Sequence, residues 1–311
     1  MTDVVLAFDV GGTAVTAGLV TAPGQVLWSI EAATVHTDRG RDPGLQQLAG
    51  LVRQLRQEAA AHDHAVRAVT LGFPEYADHD RLTSTEVIAW DRQPAEVLGD
   101  DLDDVPLFVE SDVRCAALAE ARVAAADEHD LFYVSWGSGI SSTLVIDGVC
   151  RVGRRGEAIA LGEFDVPATI EPTWTANLEQ FASGVGIARR YAALHPEVAF
   201  DGRAVAARAD AGDVDATAIV RSAARAVAAA LRSCIAILDP DVVVLGGGIG
   251  AAADGVLVTT CRAELDDLLT RPHPPAVVSA RLGSRAGLIG AGVAGWQRLA
   301  AAPSFPAPSS A

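Results

Sequence analysis

Apolar stretches rich in β-branched residues alternate with segments that repeat apolar residues at helical spacing, and this order predicts an α/β protein. The predicted strands are two within 4–20, then 25–30, 65–74, 107–112, two within 131–148, 242–245 and 276–280. The predicted helices are 43–61, 113–126, 176–194, 216–238 and 287–301, and 302–311 has the composition of a disordered tail.

Glycine-rich turns separate two of the predicted strand pairs. The first turn is Gly11-Gly12-Thr13 and the second is Gly137-Ser138-Gly139. Because similar strand–turn–strand patterns begin the two halves of the chain, the sequence predicts an internal duplication of one sheet-based unit.

The first turn has the composition of a phosphate-binding loop. Glycines let backbone N–H groups approach phosphate oxygens, and Thr13 adds a hydroxyl donor. Asp9 ends the preceding strand, where a carboxylate can hold a hydrated Mg²⁺. An ordinary hairpin with an acid near its turn fits this segment equally well.

Composition and charge narrow the class of protein. Half of the 311 residues are hydrophobic, and the length predicts about two domains. The formal charge of −16 argues against a nucleic-acid-binding surface. The chain shows neither a membrane-spanning apolar run nor a signal peptide, and its four cysteines are scattered without a CxxC pair. These features predict a cytoplasmic protein with small buried cysteines.

Two strand ends carry candidate site residues. Gly72 lies where a strand ends in a Gly/Pro turn, a frequent ligand position in α/β sheets. Asp112 follows a strand and precedes a helix, so it is either a functional carboxylate or a helix N-cap.

Six motifs together resemble the ROK family of sugar kinases and repressors. They are Asp9-Val10-Gly11-Gly12-Thr13, Glu110-Ser111-Asp112, Trp136-Gly137-Ser138-Gly139-Ile140, Gly162-Glu163, Leu178-Glu179 and Asp239-Pro240-Asp241-Val242-Val243-Val244-Leu245-Gly246-Gly247-Gly248. The resemblance implies a two-lobed actin-like ATPase (ribonuclease H-like) fold with a duplicated βββαβαβα unit. It implies a smaller lobe, 1–113, completed by helix 287–301, and a larger lobe, 114–286.

The resemblance also implies an ATP- and Mg²⁺-dependent sugar kinase. Both glycine turns would hold phosphates, Gly246, Gly247 and Gly248 would face the adenosine, and Asp112 would accept the proton of a primary hydroxyl. The implied substrate contacts are Gly72, Glu86, Ser111, Asp112, Glu163, Asp165 and Glu179. For Glu163 and Glu179 a solvated surface position is the alternative, and for Trp90 and Trp136 core packing is favoured over stacking on a ligand. A homodimer is expected by resemblance.

Departures from the family pattern point to an altered substrate. Ser111 stands where the family usually has Asn, and Glu163-Phe164-Asp165-Val166 lacks the usual His. The cysteines of the family's zinc loop are also missing, so no zinc is expected. Glu86 replaces an amide, and the added acids favour an amino sugar such as 3-amino-3-deoxyglucose (kanosamine type). A C7-cyclitol or plain hexose is the alternative, with Glu86 then free to face water.

Three other functions are alternatives to the kinase. A repressor needs a DNA-binding domain ahead of Asp9, and the sequence offers no room for one. A non-catalytic sugar sensor stays open because pocket residues differ, although Asp112 and both turns argue for catalysis. Gly246-Gly247-Gly248-Ile249-Gly250 after a strand suggests a dinucleotide-binding dehydrogenase, but no complete βαβ unit follows it.

Overall fold

The computed structural model describes residues 1–35, 43–85, 87–88, 91–124, 130–197 and 200–301. The strands are β1 Thr2–Val10, β2 Ala14–Val20, β3 Val26–Ala33, β4 His64–Phe73, β5 Ala77–Asp78, β6 Arg81–Leu82, β7 Leu107–Ser111, β8 Asp130–Trp136, β9 Ile140–Ile146, β10 Val149–Cys150, β11 Val242–Gly246 and β12 Ala276–Ser279. The helices are α1 Pro43–Ala61, α2 Pro94–Leu98, α3 Asp112–Ala119, α4 Leu178–Ala182, α5 Gly184–Leu194, α6 Gly202–Asp210, α7 Val214–Leu238, α8 Gly247–Gly250, α9 Val256–Leu268 and α10 Ala286–Ala301.

The chain divides into two compact units. Unit 1 comprises Met1–Ala119 and the segment from Arg285 onward, and unit 2 comprises Glu120–Ser284. Each unit has a five-stranded sheet, in the orders β3-β2-β1-β4-β7 and β10-β9-β8-β11-β12. In both sheets the first three strands are antiparallel and the remaining pairs are parallel. The predicted duplication is therefore present as two sheets of matching topology.

Apolar residues lie on both faces of the unit 1 sheet, because successive side chains of a strand point to opposite faces. Each face is therefore covered by helices. Leu6 and Phe8 of β1 belong to the core that also contains Leu48 of α1. The opposite face carries Ala7, which packs with Cys115 of α3 and neighbouring α10 residues. Both helical layers thus fix the position of β1 and of the turn that follows it.

Helix α10 lies close to its neighbours because small residues line its inner face. A Cβ added at Gly290 would lie 1.6 Å from the carbonyl oxygen of Cys115, and one at Gly295 would lie 2.4 Å from Thr70 Oγ1. Only glycine permits this approach, since no backbone shift of a few tenths of an ångström would relieve such a contact.

Helix α7 forms the centre of unit 2. Its apolar face is buried against a core that includes Val243 and Leu245 of β11 and Leu257 of α9. Asp213 caps the helix by accepting the backbone N–H of Ala216 at 2.9 Å.

Two predicted helices differ from the structure. The helix predicted at 113–126 is α3 followed by a π-helical turn, Glu120–Ala124, and 125–129 lie outside the described residues. The change of helix type coincides with Glu120, whose buried carboxylate accepts the backbone N–H groups of Arg281 and Leu282.

The helix predicted at 176–194 is also divided. Ser183 has an extended backbone and separates α4 from α5, and its hydroxyl accepts the N–H of Gly186 at 3.0 Å. Gly184 N–H donates to the carbonyl of Gly137 at 2.7 Å, so the break joins this helix pair to the second glycine turn. Helices α2, α6, α8 and α9 were not predicted.

Other sequence predictions can be compared directly. All four cysteines are buried and free, as predicted. None of the helices in the described ranges has the length and apolar character needed to cross a membrane. The predicted tail at 302–311 lies outside the described residues.

Candidate active site

Three parallel strands of unit 1 bring site residues to one edge of the sheet. Asp9 at the end of β1 pairs in register with Gly72 of β4, which pairs in turn with Glu110 of β7. Ser111 ends β7, and Asp112 begins α3. This edge is the carboxyl end of the parallel strands, where ligands bind in α/β sheets.

The first glycine turn connects β1 to β2. Gly11 N–H donates to the carbonyl of Ala14 at 2.9 Å, and Thr34 Oγ1 donates to the carbonyl of Gly11 at 2.6 Å. A Cβ at Gly11 would lie 3.0 Å from the Ala14 oxygen, so close backbone approach explains the glycine. Thr13 is exposed at the tip.

The two aspartates of this edge are electrostatically coupled. Burial raises the pKa of the Asp9 carboxyl to about 6. Burial also raises the pKa of the Asp112 carboxyl to about 7, with added repulsion from Asp9 and Glu75. The N–H of Val113 and the charge of Arg114 act in the opposite direction. Asp112 therefore titrates near neutrality, which suits a general base.

The hydrogen bonds of Asp112 differ from those of a helix cap. Its Oδ1 accepts the N–H of the next residue, Val113, at 2.6 Å, whereas a capping side chain accepts from a residue two or three positions further. The nearby Arg114 is almost fully buried, pairs with Glu110 and donates to the carbonyl of Ala77 at 2.7 Å.

Three predicted substrate contacts of unit 1 have different surroundings. Ser111 is 1% exposed, and its hydroxyl has no hydrogen-bond partner within the described part of the chain. Such a buried polar group is satisfied when a ligand hydroxyl or amine reaches it. Gly72 is buried, and a Cβ there would lie 3.1 Å from Cys115 Sγ, so packing is enough to explain this glycine. Glu86 lies outside the described residues, as does Trp90.

The second glycine turn belongs to unit 2 and packs against other glycines. A Cβ at Gly137 would lie 3.2 Å from the backbone nitrogen of Gly248, and one at Gly184 would lie 3.0 Å from the carbonyl of Gly137. Gly247 has a φ of +74°, which favours glycine. Gly246 is held against the ring of Tyr133. The backbone segments around the second glycine turn therefore lie so close together that side chains at these positions would not fit between them.

A cavity of about 620 Å³ in unit 2 opens beside this turn. Its polar lining residues include Ser138, Arg189 and Arg203, and the Arg203 guanidinium lies beside Gly248. The apolar part of its lining includes Val185, Ala188, Ala192, Phe200 and Ile249. Two arginines near glycine backbone, with an apolar wall, fit the phosphates and base of a nucleotide. A Cβ on Gly137 or Gly248 would narrow this cavity.

The predicted acids of unit 2 lie near the same turn. Glu179 Oε2 accepts the N–H of Ile140 at 2.7 Å, so this carboxylate holds the end of the turn. Gly162 packs against Glu179 and precedes Glu163, which is exposed in a short 3₁₀ helix. Asp165 is exposed and forms a bridge with Asn177, the N-cap of α4. The structure thus brings the three acids into one region, and their contact with substrate stays a prediction.

Trp136 is buried, as the favoured core-packing interpretation expects, and its indole N–H donates to the carbonyl of Ala182 at 2.8 Å.

Within the described ranges no three His, Cys, Asp or Glu side chains are close enough together to hold a metal ion by themselves. Asp9 offers the carboxylate oxygens that Mg²⁺ binds through water, so the residues present fit that ion with a nucleotide supplying further ligands.

A comparison with known protein families decides the relationship. The ROK family profile matches residues 5–296. The chain belongs to the ROK family. The match covers both units and all six motifs of the sequence analysis.

Three relatives in this family extend the comparison. The bifunctional enzyme NanE/NanK of Brucella melitensis is 34% identical over 286 residues, which cover 92% of this chain and 52% of that protein. The chain therefore spans about half the length of that curated relative. A ROK hexokinase from Thermus thermophilus aligns with a TM-score of 0.82 and 27% identity, over 96% of this chain and 99% of that one. A ROK glucokinase from Streptomyces griseus, crystallised with glucose and AMPPNP, aligns with a TM-score of 0.73 and 28% identity, over 93% and 98%. This ROK chain has the two-lobed actin-like ATPase fold that was predicted.

Several residues of the ROK site were not predicted from the sequence. The cavity lined by Phe200, Arg189 and Arg203 forms only when β8, α5 and α6 meet, and these elements are separate in the sequence. Gly287 of α10 packs on Asp9, and its spacing to Gly290 along an apolar helix is a signal of close packing. Glu75 follows the strand end Gly72-Phe73-Pro74, and nothing in its local sequence indicates that it would be buried.

Proposed function

We propose that this protein is an ATP-dependent sugar kinase that phosphorylates a primary, 6-type hydroxyl of a hexose-like substrate. The observation that carries the proposal is Asp112, held beside Asp9 at the carboxyl edge of the unit 1 sheet with a pKa raised to about 7. Membership of a family that includes a glucokinase crystallised with glucose and AMPPNP supports ATP and a sugar as substrates.

Each unit supplies a different part of the reaction. In unit 1 the Asp112 carboxylate accepts the proton of the acceptor hydroxyl, whose oxygen attacks the γ-phosphorus of ATP as the bond to the β,γ-bridging oxygen breaks and ADP leaves. The Gly11–Thr13 turn donates N–H and hydroxyl groups to phosphate oxygens, and Asp9 would hold a hydrated Mg²⁺. Bound Mg²⁺ supplies positive charge that offsets the phosphate charge. In unit 2 the Gly137–Gly139 turn with Gly248 receives the nucleotide, and Arg189 and Arg203 pair with its phosphates.

The substrate is proposed to be an amino sugar such as 3-amino-3-deoxyglucose. Three carboxylates influence one another in unit 1, since the charges of Asp9 and Glu75 both raise the pKa of Asp112. Glu163, Asp165 and Glu179 add further negative charge near the second turn. A cationic substrate relieves part of this repulsion, whereas a neutral hexose does not. A C7-cyclitol or plain hexose is the alternative substrate, and a non-catalytic sugar sensor is the alternative function.

A substrate comparison tests this assignment. With ATP and Mg²⁺ we expect kcat/KM for 3-amino-3-deoxyglucose to exceed that for glucose about tenfold or more, equal to about 1.4 kcal/mol of selective binding. A coupled assay of ADP release measures both substrates and a C7-cyclitol. The variant Ser111→Asn, which places an amide at the unpaired hydroxyl, is expected to narrow the difference. Preference for glucose contradicts the amino-sugar proposal, and binding of every sugar without turnover favours the sensor.

The pH profile tests the role of Asp112. The carboxylate accepts a proton only when ionised, and burial raises its pKa to about 7. We therefore expect log(kcat/KM) to rise with slope one below an inflection near pH 7 and to level off above it. Stopped assays between pH 5.5 and 9 with saturating ATP measure this. A profile that is flat from pH 5.5 upward contradicts a base of this pKa.

The cytoplasmic location and the homodimer remain part of the proposal. They follow from the sequence and from the resemblance to the family, and size-exclusion chromatography with light scattering measures the second of them.

A further inference from the structure

Glu75 is a buried carboxylate that the proposed reaction does not use. It is 3% exposed and lies two residues after the end of β4 in unit 1. Unlike Asp112, it is surrounded by donors. Its Oε1 accepts the backbone N–H groups of Val87 and Ile88, each at 2.7 Å. Its Oε2 accepts the hydroxyl of Ser84.

These bonds hold one segment of the chain from two sides. Ser84 Oγ also accepts the N–H of Tyr76 at 2.9 Å, so a single hydroxyl links the residue after Glu75 to the anchored segment. Hydrogen bonds to a charged group are stronger than those between neutral groups. We call Ser84, Val87 and Ile88 the anchored loop.

Packing holds the anchored loop unevenly. Ile88 is buried in the core of unit 1, whereas Val87 is 55% exposed. A cavity of about 170 Å³ lies beside the loop, lined in part by Leu82, Ser84 and Ile88. The Glu75 carboxylate therefore restrains Ser84 and Val87, which packing holds less firmly than Ile88.

The anchored loop lies at the site of unit 1. A Cβ at Gly12 would lie 3.5 Å from Val87 Cγ1, so the Val87 side chain lies beside the first glycine turn. Glu75 is also close enough to Asp112 for its charge to act on that carboxylate. In the sequence, the predicted substrate residue Glu86 falls between Ser84 and Val87.

We propose that Glu75 is a positioning residue that holds the anchored loop against the Gly12 turn, in the place where the acceptor sugar binds. The inference rests on the proposed kinase function. Glu75 itself does not contact substrate, because its two oxygens are occupied by the loop. Its loss is expected to weaken sugar binding and to change nucleotide binding little, because the proposed nucleotide cavity lies in unit 2 and the Gly11–Thr13 turn keeps its own bonds to Ala14 and Thr34.

Two variants separate the anchoring role from charge and from general stability. Glu75→Ala removes the three hydrogen bonds described above. Glu75→Gln keeps an oxygen for Val87 and Ile88, and its amide can donate to Ser84 Oγ. The matched control is Glu120→Ala, because Glu120 is also a buried carboxylate that accepts two backbone N–H groups, from Arg281 and Leu282.

We expect Glu75→Ala to raise the sugar KM about tenfold or more, with the ATP KM within about twofold of wild type; tenfold equals about 1.4 kcal/mol. Amide hydrogen exchange at Val87 and Ile88 should accelerate in the same variant. Glu75→Gln should restore both measurements toward wild type, and Glu120→Ala should leave the sugar KM within about twofold. Melting temperatures set an assay temperature at which every variant is folded.

If Glu75→Ala does not fold, Ser84→Ala removes one anchor and keeps the carboxylate, and a smaller rise in sugar KM is expected. An unchanged sugar KM, an equal rise in both KM values or a failure of Glu75→Gln to rescue would overturn the proposal. Wild-type protein that phosphorylates no sugar counts against the kinase function instead. In that case exchange at Val87 and Ile88, measured with and without bound sugar, still decides whether Glu75 anchors a sugar-binding loop.

Discussion

Asp112→Asn is expected to lower kcat by about 10²–10⁴-fold, because an amide cannot accept the proton of the acceptor hydroxyl. The side chain keeps its size and can still accept the N–H of Val113 through its oxygen. Sugar and nucleotide binding should therefore remain measurable by calorimetry. The control is Asp147→Asn, the same change at an exposed acid in the turn between β9 and β10.

The same variant is expected to be more stable than wild type at pH 8. Burial raises the pKa of Asp112 from 3.8 to about 7, so between these values the folded state binds more protons than the unfolded state. The free energy of unfolding then falls as pH rises through this range, and the asparagine variant does not share that loss. Melting curves at pH 5.5 and 8 should show a difference between variant and wild type that grows with pH. A kcat within about twofold of wild type, or a stability difference that shrinks with pH, contradicts the assignment.

Gly287→Ala is expected to lower kcat by roughly 10–100-fold with little change in melting temperature, since small displacements at a reacting site have effects of this size. A Cβ at this position would lie 2.2 Å from Asp9 Oδ2 and 2.3 Å from its Cγ. The side chain of Asp9 can rotate away, so the clash moves the carboxylate rather than unfolding the helix.

Gly99→Ala is the matched control for Gly287→Ala, because a Cβ at Gly99 meets nothing within 4 Å. Kinetics at varied Mg²⁺ should show that the Gly287 variant needs a higher concentration of the ion for half-maximal rate. Unchanged kcat and Mg²⁺ dependence would show that Asp9 is not needed where the structure places it.

Asp112→Asn removes a carboxylate from this charged site, whereas Gly287→Ala displaces one. Asp9, Glu75 and Asp112 are held near one another at a cost in stability, since the charges of Asp9 and Glu75 both raise the pKa of Asp112. Functional sites often keep such unfavourable arrangements because the reaction requires them. A cation in this region, whether a metal ion or an amine of the substrate, would reduce the cost.

Local sequence was sufficient for much of the fold. Strand and helix positions follow from apolar periodicity, and helix α1 has the predicted bounds 43–61. The two glycine turns predicted a duplication, which the matching strand orders of the two sheets confirm. These features depend on residues that are near one another in the chain, so their physical causes are visible in the sequence.

Two helix predictions were wrong where segments far apart in the chain come into contact. The helix predicted at 176–194 breaks at Ser183 because Gly184 bonds to Gly137, and the helix predicted to 126 changes type at Glu120, which holds Arg281. Propensity over a short window cannot include partners far away in the chain.

The sequence by itself determined the α/β class and the family motifs, since these rest on local pattern and residue chemistry, and the resemblance carried by those motifs implied Asp112 as the candidate base. Tertiary structure alone decided that Glu75 is buried and fully bonded, that Gly287 packs on Asp9, and that Phe200 and Arg203 line one cavity. The reason is physical: burial, electrostatic coupling and close backbone approach depend on which segments are packed together, and no single segment encodes them.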